Sequence, residues 1–162
     1  YGITGLYSTA EGGDYSTIGG AVGRSTKSGS WNVNIQFTHN LQESREVADA
    51  AWGFYLKAGA ADGNPNYVES SLVIGIGGQP LFFGRPQDSF GIGAYYYNLS
   101  DVLQDELTPV LTNFQDESAI EVFYSWAVKP WLKIGANIQY INPARGDYEH
   151  ALVPSLRVQF RL

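Results

Sequence analysis

The 162-residue chain carries 16 Asp and Glu against 10 Lys and Arg, a mildly acidic balance that argues against a nucleic-acid partner, which would need a basic face. It contains no Cys, so neither a disulfide framework nor a thiolate metal site can form. No apolar run reaches the roughly 18 residues of a transmembrane helix, but a β-barrel stays open, because alternation averages its hydropathy away.

The length suits one domain, residues 1–162. The chain opens Tyr1-Gly2-Ile3-Thr4 with no Met and no export signal, so it reads as starting in mid-fold: either a signal has been removed or more chain precedes it. Aromatic residues at 14% and 19 Gly suit a barrel with aromatic girdles and a crowded lumen.

The alternation predicts about eight strands. In the first, residues 1–9, Ile3, Gly5 and Tyr7 share one parity; a polar loop over 10–29 follows. Over 30–41, Trp31, Val33, Ile35 and Phe37 alternate with Asn32, Asn34, Gln36 and Thr38, the cleanest two-residue period in the chain. Residues 50–61 set Trp52, Phe54, Leu56 and Ala58 against Tyr55 and Lys57, and Asp62-Gly63-Asn64-Pro65-Asn66 makes a turn. Residues 69–78 oppose Leu72, Ile74 and Ile76 to Glu69, Ser71 and Gly75, and 79–87 form a connection with two prolines.

Residues 88–99 put Phe90, Ile92, Ala94 and Tyr96 on one side and Gly91, Gly93, Tyr95 and Tyr97 on the other. An acidic loop over 100–116 has room for a helical turn near Val102–Leu107. Over 118–128, Ile120, Val122, Tyr124, Trp126 and Val128 face away from Glu121, Phe123 and Ser125. A tight turn at Lys129-Pro130 leads into 131–142, where Leu132, Ile134, Ala136, Ile138 and Tyr140 oppose Lys133, Asn137 and Gln139. In the last strand, Leu152, Leu156, Val158, Phe160 and Leu162 oppose Ser155, Arg157, Gln159 and Arg161. An all-β, transmembrane antiparallel barrel accounts for this division, its apolar parity in lipid and its polar parity on a lumen.

Outer-membrane barrels have short periplasmic turns and longer outer loops. The turn at Lys129-Pro130 is then periplasmic, and 10–29 and 100–116 lie outside. In that orientation Trp52, Phe90, Trp126, Trp131 and Phe160 approach the periplasmic interface, and Trp31, Tyr96 and Tyr140 the outer one. A dry interior packing Trp31, Phe37, Leu56, Ile134 and Val158 together would instead mean a soluble sandwich.

An ordered series of short words carries a family resemblance. It includes Ser30-Trp31-Asn32, Trp52-Gly53-Phe54, Ala61-Asp62-Gly63-Asn64-Pro65-Asn66 and Gly75-Ile76-Gly77-Gly78. It continues with Gly84-Arg85-Pro86-Gln87-Asp88-Ser89-Phe90-Gly91, Tyr95-Tyr96-Tyr97-Asn98-Leu99-Ser100-Asp101 and Val128-Lys129-Pro130-Trp131. The chain resembles the C-terminal half of the carbohydrate-selective outer-membrane porins of the OprB type over nearly its whole length. The resemblance implies half of a sixteen-stranded barrel in the outer membrane of a Gram-negative bacterium. It also implies passive diffusion of small carbohydrates, glucose-like monosaccharides foremost, with outer-membrane lipid and a missing N-terminal barrel half as partners. A homotrimer follows only by analogy with other porins. Leu162 stands where a terminal aromatic belongs in an outer-membrane assembly signal, although Phe160 is close.

A sugar pore needs donors and acceptors to replace water around hydroxyls, and aromatic faces for the C–H surfaces of the ring; it needs no nucleophile and no cofactor. The inward parity offers Gln36, Tyr55, Lys57, Tyr95, Phe123, Asn137 and Arg157 at about mid-height, with Glu69, Glu121, Lys133, Gln139, Gln159 and Arg161 nearer the ends. Of these and Tyr97, the candidate pore-lining residues are Gln36, Tyr55, Lys57, Tyr95, Tyr97, Glu121, Phe123, Lys133, Asn137, Arg157 and Arg161. Arg offers a fork of donors, and a carboxylate can hold it in place. Phe123 is the best stacking candidate, being least expected on a wet wall; Tyr95 and Tyr97 read equally as space-fillers beside Gly91 and Gly93.

Other signals are weaker. His39 and His150 are isolated and lack ligand spacing. Asp101, Asp105, Glu106, Asp116 and Glu117 form a solvated loop before they form a cation site. No paired catalytic groups can be placed, so an enzyme is the weakest reading. Two other readings compete: a self-contained eight-stranded barrel with a structural or adhesion role, and a soluble β-sandwich lectin.

Overall fold

The two-residue period becomes one antiparallel sheet. The computed structural model describes residues 1–18, 23, 25–108 and 113–161. Parts of the loops expected at 10–29 and 100–116, and the terminal Leu162, lie outside the described residues.

The strands are β1 (Gly2–Ser8), β2 (Gly12–Gly13), β3 (Thr26–Lys27), β4 (Ser30–Glu43), β5 (Ala51–Ala61), β6 (Val68–Gly78), β7 (Ser89–Leu99), β8 (Glu117–Lys129), β9 (Leu132–Asn142) and β10 (Ala151–Phe160). All eight long strands form where alternation placed them, with bounds shifted by at most two residues. The two-residue pair β2–β3 was not foreseen, being too short to show a period. Among the described residues one α-helix, α1 (Asp101–Leu107), starts after Ser100, whose hydroxyl accepts from the Leu103 N–H at 3.2 Å.

The large sheet runs in the order β1-β4-β5-β6-β7-β8-β9-β10, so each long strand pairs with its neighbour in sequence. A self-contained eight-stranded barrel would join β1 to β10; here they are the two edges of an open sheet. The order and register are those of barrel wall, not of a closed small barrel.

The register sorts the faces. One row runs Phe37, Leu56, Ile74, Ala94, Ile120, Tyr140 and Leu152; the next runs His39, Phe54, Ile76, Ile92, Val122, Ile138 and Pro154. These rows stay uncovered, with Ile120 at 55% and Ile138 at 53% exposure. Buried apolar side chains among the described residues are Ala50, Pro80, Leu99, Leu103 and Ala119, none of them from the rows above. Trp31, Phe37 and Val158 are exposed, and Leu56 and Ile134 are half-buried, so no dry interior gathers them. A soluble sandwich would bury this face against a second sheet. Left open on one face, it suits acyl chains.

Aromatic residues collect at both ends of that face. At the tight-turn end Trp52, Phe90 and Tyr124 belong to one row, and the Trp131 and Phe160 rings stack at 6.3 Å. At the other end Tyr7 opposes Trp31, and Tyr140 lies 5.4 Å from His150. Connections 44–50, 79–88 and 130–131 share the tight-turn end, whereas 9–29, 62–67, 100–116 and 143–150 share the other. The length rule holds for the sets but not for every member, since 79–88 outruns 62–67. Bulges interrupt the period at Leu41, Glu69 and Val128, so the face of Val128 does not follow from parity.

Candidate functional site: the polar face of the sheet

Opposite the apolar rows lies a face built from the other parity. Directly paired residues of antiparallel strands project to the same side, so the register alone brings distant residues together. Gln36, Lys57, Val73, Tyr95 and Ala119 form one row. Tyr55, Gly75, Gly93, Glu121 and Gln139 form the next. Gly77, Gly91, Phe123, Asn137 and Ser155 form a third. Arg157 follows beside Gly135, Lys133 opposes Gln159, and Tyr97 opposes Glu117. Arg161 continues past β10, its N–H donating to the Trp131 carbonyl at 2.9 Å.

Ten of the eleven candidates therefore share the face, Arg161 lying beyond the paired strand, and not quite as arranged by sequence. Glu121 and Gln139 were expected nearer the ends; both belong to the row of Tyr55, next to that of Phe123.

The glycines give this face its relief. A Cβ on Gly75 would stand 2.6 Å from the Tyr55 ring and hydroxyl, and one on Gly93 would stand 2.6 Å from the same hydroxyl. One on Gly91 would meet the Phe123 ring at 2.3 Å. Tyr55 thus lies across β6 towards β7, and Phe123 lies back across β7, each ring seated on bare backbone. The expectation that Tyr95 and Tyr97 fill space beside Gly91 and Gly93 is replaced. Those two rings pack on each other, 4.7 Å apart, and the Tyr95 hydroxyl donates to Glu117 Oε1 at 2.8 Å.

Between the two seated rings a shallow hollow is lined by Tyr55, Glu121 and Phe123 over Gly77, Gly91 and Gly93. Polar groups continue from it across β8, β9 and β10. Ser155 Oγ donates to Asn137 Oδ1 at 2.8 Å, and Asn137 Nδ2 donates to Glu121 Oε1. Among the described residues no Arg–carboxylate pair forms on this face. Among the described residues the ion pairs are Arg85–Asp88 and Arg145–Asp147, so Lys57, Lys133, Arg157 and Arg161 have no carboxylate partner there. An amide, not a guanidinium, steadies Glu121. Ser155 reads on the polar parity without being a pore-lining candidate, and Glu117 reads with the acidic loop, although it opens β8 on the parity of Glu121.

At the long-loop end the chain folds over the strand ends. Tyr15 N–H donates to Asn64 Oδ1 at 3.1 Å, the Tyr15 hydroxyl donates to the Pro65 carbonyl at 2.6 Å, and Asn64 Nδ2 donates to Asp14 Oδ1 at 2.9 Å. The Asn64 hydrogen bond, followed by that from Ser16, pulls the Asp14 carboxyl down to about 2. Burial first, and then the Asp62 charge, push the Tyr15 phenol up.

A sheet apolar and uncovered on one side, aromatic at both ends of that side, and polar with seated rings on the other is the wall of a membrane-spanning β-barrel. The chain belongs to the carbohydrate-selective porin, OprB family, whose sequence profile matches residues 1–162. It is 27% identical over 154 residues to Porin B of Pseudomonas aeruginosa, covering 84% of this chain and 33% of that protein. A solved high-pH structure of Pseudomonas putida OprB superposes with a TM-score of 0.77 at 20% identity, over 98% of this chain and 43% of that one. The chain thus spans about a third of the curated relative and under half of the solved porin.

Proposed function

We propose that residues 1–162 act as one domain forming about half of the wall of an outer-membrane porin, through which small carbohydrates such as glucose diffuse passively. The observation that carries this reading is the pair of rings, Tyr55 and Phe123, seated on glycines with the Glu121–Asn137–Ser155 chain alongside. A pyranose has an apolar C–H face and a rim of hydroxyls. Rings meet the first, and carboxylate, amide and hydroxyl groups meet the second.

The pore lining proposed is Gln36, Tyr55, Lys57, Tyr95, Tyr97, Glu121, Phe123, Lys133, Asn137, Arg157 and Arg161. Contacts of this kind stay weak, as flux requires, since a tightly held sugar would block its own channel. The partners in this reading are outer-membrane lipid, the remaining barrel wall supplied by N-terminal chain, and further copies in a trimer by analogy. The uncovered apolar face supports the first of these. Family membership supports the Gram-negative outer membrane as the location.

Liposomes carrying the complete protein test the reading: they are expected to swell faster in glucose than in a large oligosaccharide. Equal swelling in all solutes would reduce the protein to a general pore. Single-channel conductance with and without glucose gives the second readout, with glucose expected to lower the ion current.

A further inference from the structure

The β6–β7 connection, residues 79–88, turns away from the polar face. Its start is clasped to β5: Gln79 N–H donates to the Ala51 carbonyl at 2.9 Å, and Ala51 N–H donates to Gln79 Oε1 at 3.0 Å. Pro80 is fully buried, and Leu81–Phe83 form one 3-10 turn. Gly84 closes it at φ 66°, a left-handed conformation that glycine adopts without a Cβ penalty. The far end is clasped to β8 through Asp88, which accepts from Arg85, the Tyr124 hydroxyl and, at 2.8 Å, the Ala127 N–H.

Held at both flanks, the turn presents its phenylalanines to the apolar side. Phe82 stands edge-on to Trp52 at 5.5 Å and to Phe90 at 5.3 Å, both members of an apolar-face row. Phe83 lies 4.5 Å from Phe82 and is 70% exposed. Arg85 sits 5.8 Å from the centre of the Trp126 ring, gives two of its nitrogens to Asp88 and leaves its side chain 44% exposed. Lys129 is exposed at the same end.

We infer that this connection is an interfacial foot: Phe82 and Phe83 seat in the headgroup–acyl boundary of the leaflet at the tight-turn end, where the free N–H groups of Arg85 meet phospholipid phosphate. Aromatic side chains favour that boundary, and guanidinium donors match phosphate oxygens. Lipid is the occupant because the foot continues the uncovered apolar face without a break and adds cations at its rim. The inference rests on the membrane-spanning reading of that face and is independent of which solute the pore passes.

The test is a fluorophore sensitive to polarity, attached at Phe83→Cys in the complete protein, with any other cysteine replaced, in phospholipid liposomes. Nitroxides placed near the headgroup are expected to remove most of the emission, deep acyl nitroxides less, and aqueous iodide little. Quenching by iodide alone puts the foot in water and overturns the inference. Protection from all quenchers means that protein covers it, a second copy included, and overturns it as well. The same dye at Lys57→Cys should respond to iodide and not to lipid. Failure there strikes the face assignment and the pore reading, whereas failure at Phe83 alone strikes only the foot.

Discussion

The phenol of Tyr55 on β5 lies across the backbone of Gly75 on β6: a Cβ at residue 75 would stand 2.6 Å from the Tyr55 Cζ and hydroxyl oxygen. Gly75→Ala should therefore lift the ring off the wall. The nearest atoms belong to the far end of a side chain, so the ring moves before the backbone does. Overpacking of this kind costs about 1–3 kcal/mol in a packed setting, and less where the displaced group meets water. The outcome expected of Gly75→Ala in the complete protein is a lower single-channel conductance, with conductance recovered in the Gly75→Ala, Tyr55→Ala double variant. Equal conductance in wild type and Gly75→Ala would remove the ring from the pore's free cross-section.

Phe123 is 38% exposed on the polar face, with Gly91 beneath it. Its exposed surface is available for stacking, and an aromatic contact is worth ~1 kcal/mol, about fivefold in a dissociation constant. Phe123→Ala should weaken glucose block of the ion current by about that factor. An unchanged block removes Phe123 from the stacking role while leaving the barrel intact.

Adjacent residues of β9 test the division of faces. Ile138 is exposed on the apolar side, whereas Gln139 shares the row of Tyr55 and Glu121. An Arg on the lipid face near the bilayer midplane costs about 2–4 kcal/mol, and one facing a lumen far less. Ile138→Arg should destabilise the reconstituted protein by roughly that amount in denaturant unfolding, and Gln139→Arg should alter ion selectivity instead. The reverse pattern would exchange the faces.

The strands were legible because alternation needs only local sequence: Trp31 to Phe37 declares a period of two without any partner. Parity then put ten of the eleven candidate residues on one face, Arg161 lying past the paired end of β10. What parity cannot carry is the distance between strands. Tyr55 and Gly75 are twenty positions apart, and their contact appears only once β5–β6 pairing sets Tyr55 opposite Gly75. The same gap hid the Tyr95–Glu117 hydrogen bond and gave Tyr95 and Tyr97 the glycine-filling role that Tyr55 and Phe123 have. Bulges are a second blind spot, because an extra residue such as Val128 shifts the period without a mark in the sequence. The Phe82–Phe83 turn was read only as a connection: two consecutive phenylalanines have no strand period, and Pro80 masked their outward direction.

Asp14 joins the long loop to the turn at 62–66 through Asn64, and this hydrogen bond, ahead of that from Ser16, brings its carboxyl to about 2. A carboxyl lowered in the folded state keeps its contribution above its ordinary value of 3.8 and loses it as pH falls through the folded value. Asp14→Ala should raise amide hydrogen exchange across residues 14–18 and 62–66 at neutral pH, with strand amides unchanged. Wild type should hold its protection down to about pH 4 and lose it progressively as the pH falls towards about 2.

Asp88 pins the β6–β7 connection to β8, and it is 1% exposed. Burial works against its charge most strongly, but hydrogen bonds from Arg85, the Tyr124 hydroxyl and the Ala127 N–H outweigh that penalty and hold the carboxyl below its ordinary 3.8. Asp88→Asn keeps the shape, removes the charge and turns one acceptor oxygen into a donor facing donors. A hydrogen bond to a charged group is worth about 1.5–3 kcal/mol, so the variant should melt at lower temperature near neutral pH and expose the 79–88 segment to protease. Because the folded carboxyl titrates below 3.8, wild type keeps the full advantage above that value and loses it as the pH drops through the lower one. The melting gap between wild type and Asp88→Asn should therefore stay constant from neutral pH down to about 4 and close beneath it. A gap that persists undiminished at still lower pH would mean that the hydrogen-bond geometry, and not the charge of Asp88, holds the connection in place.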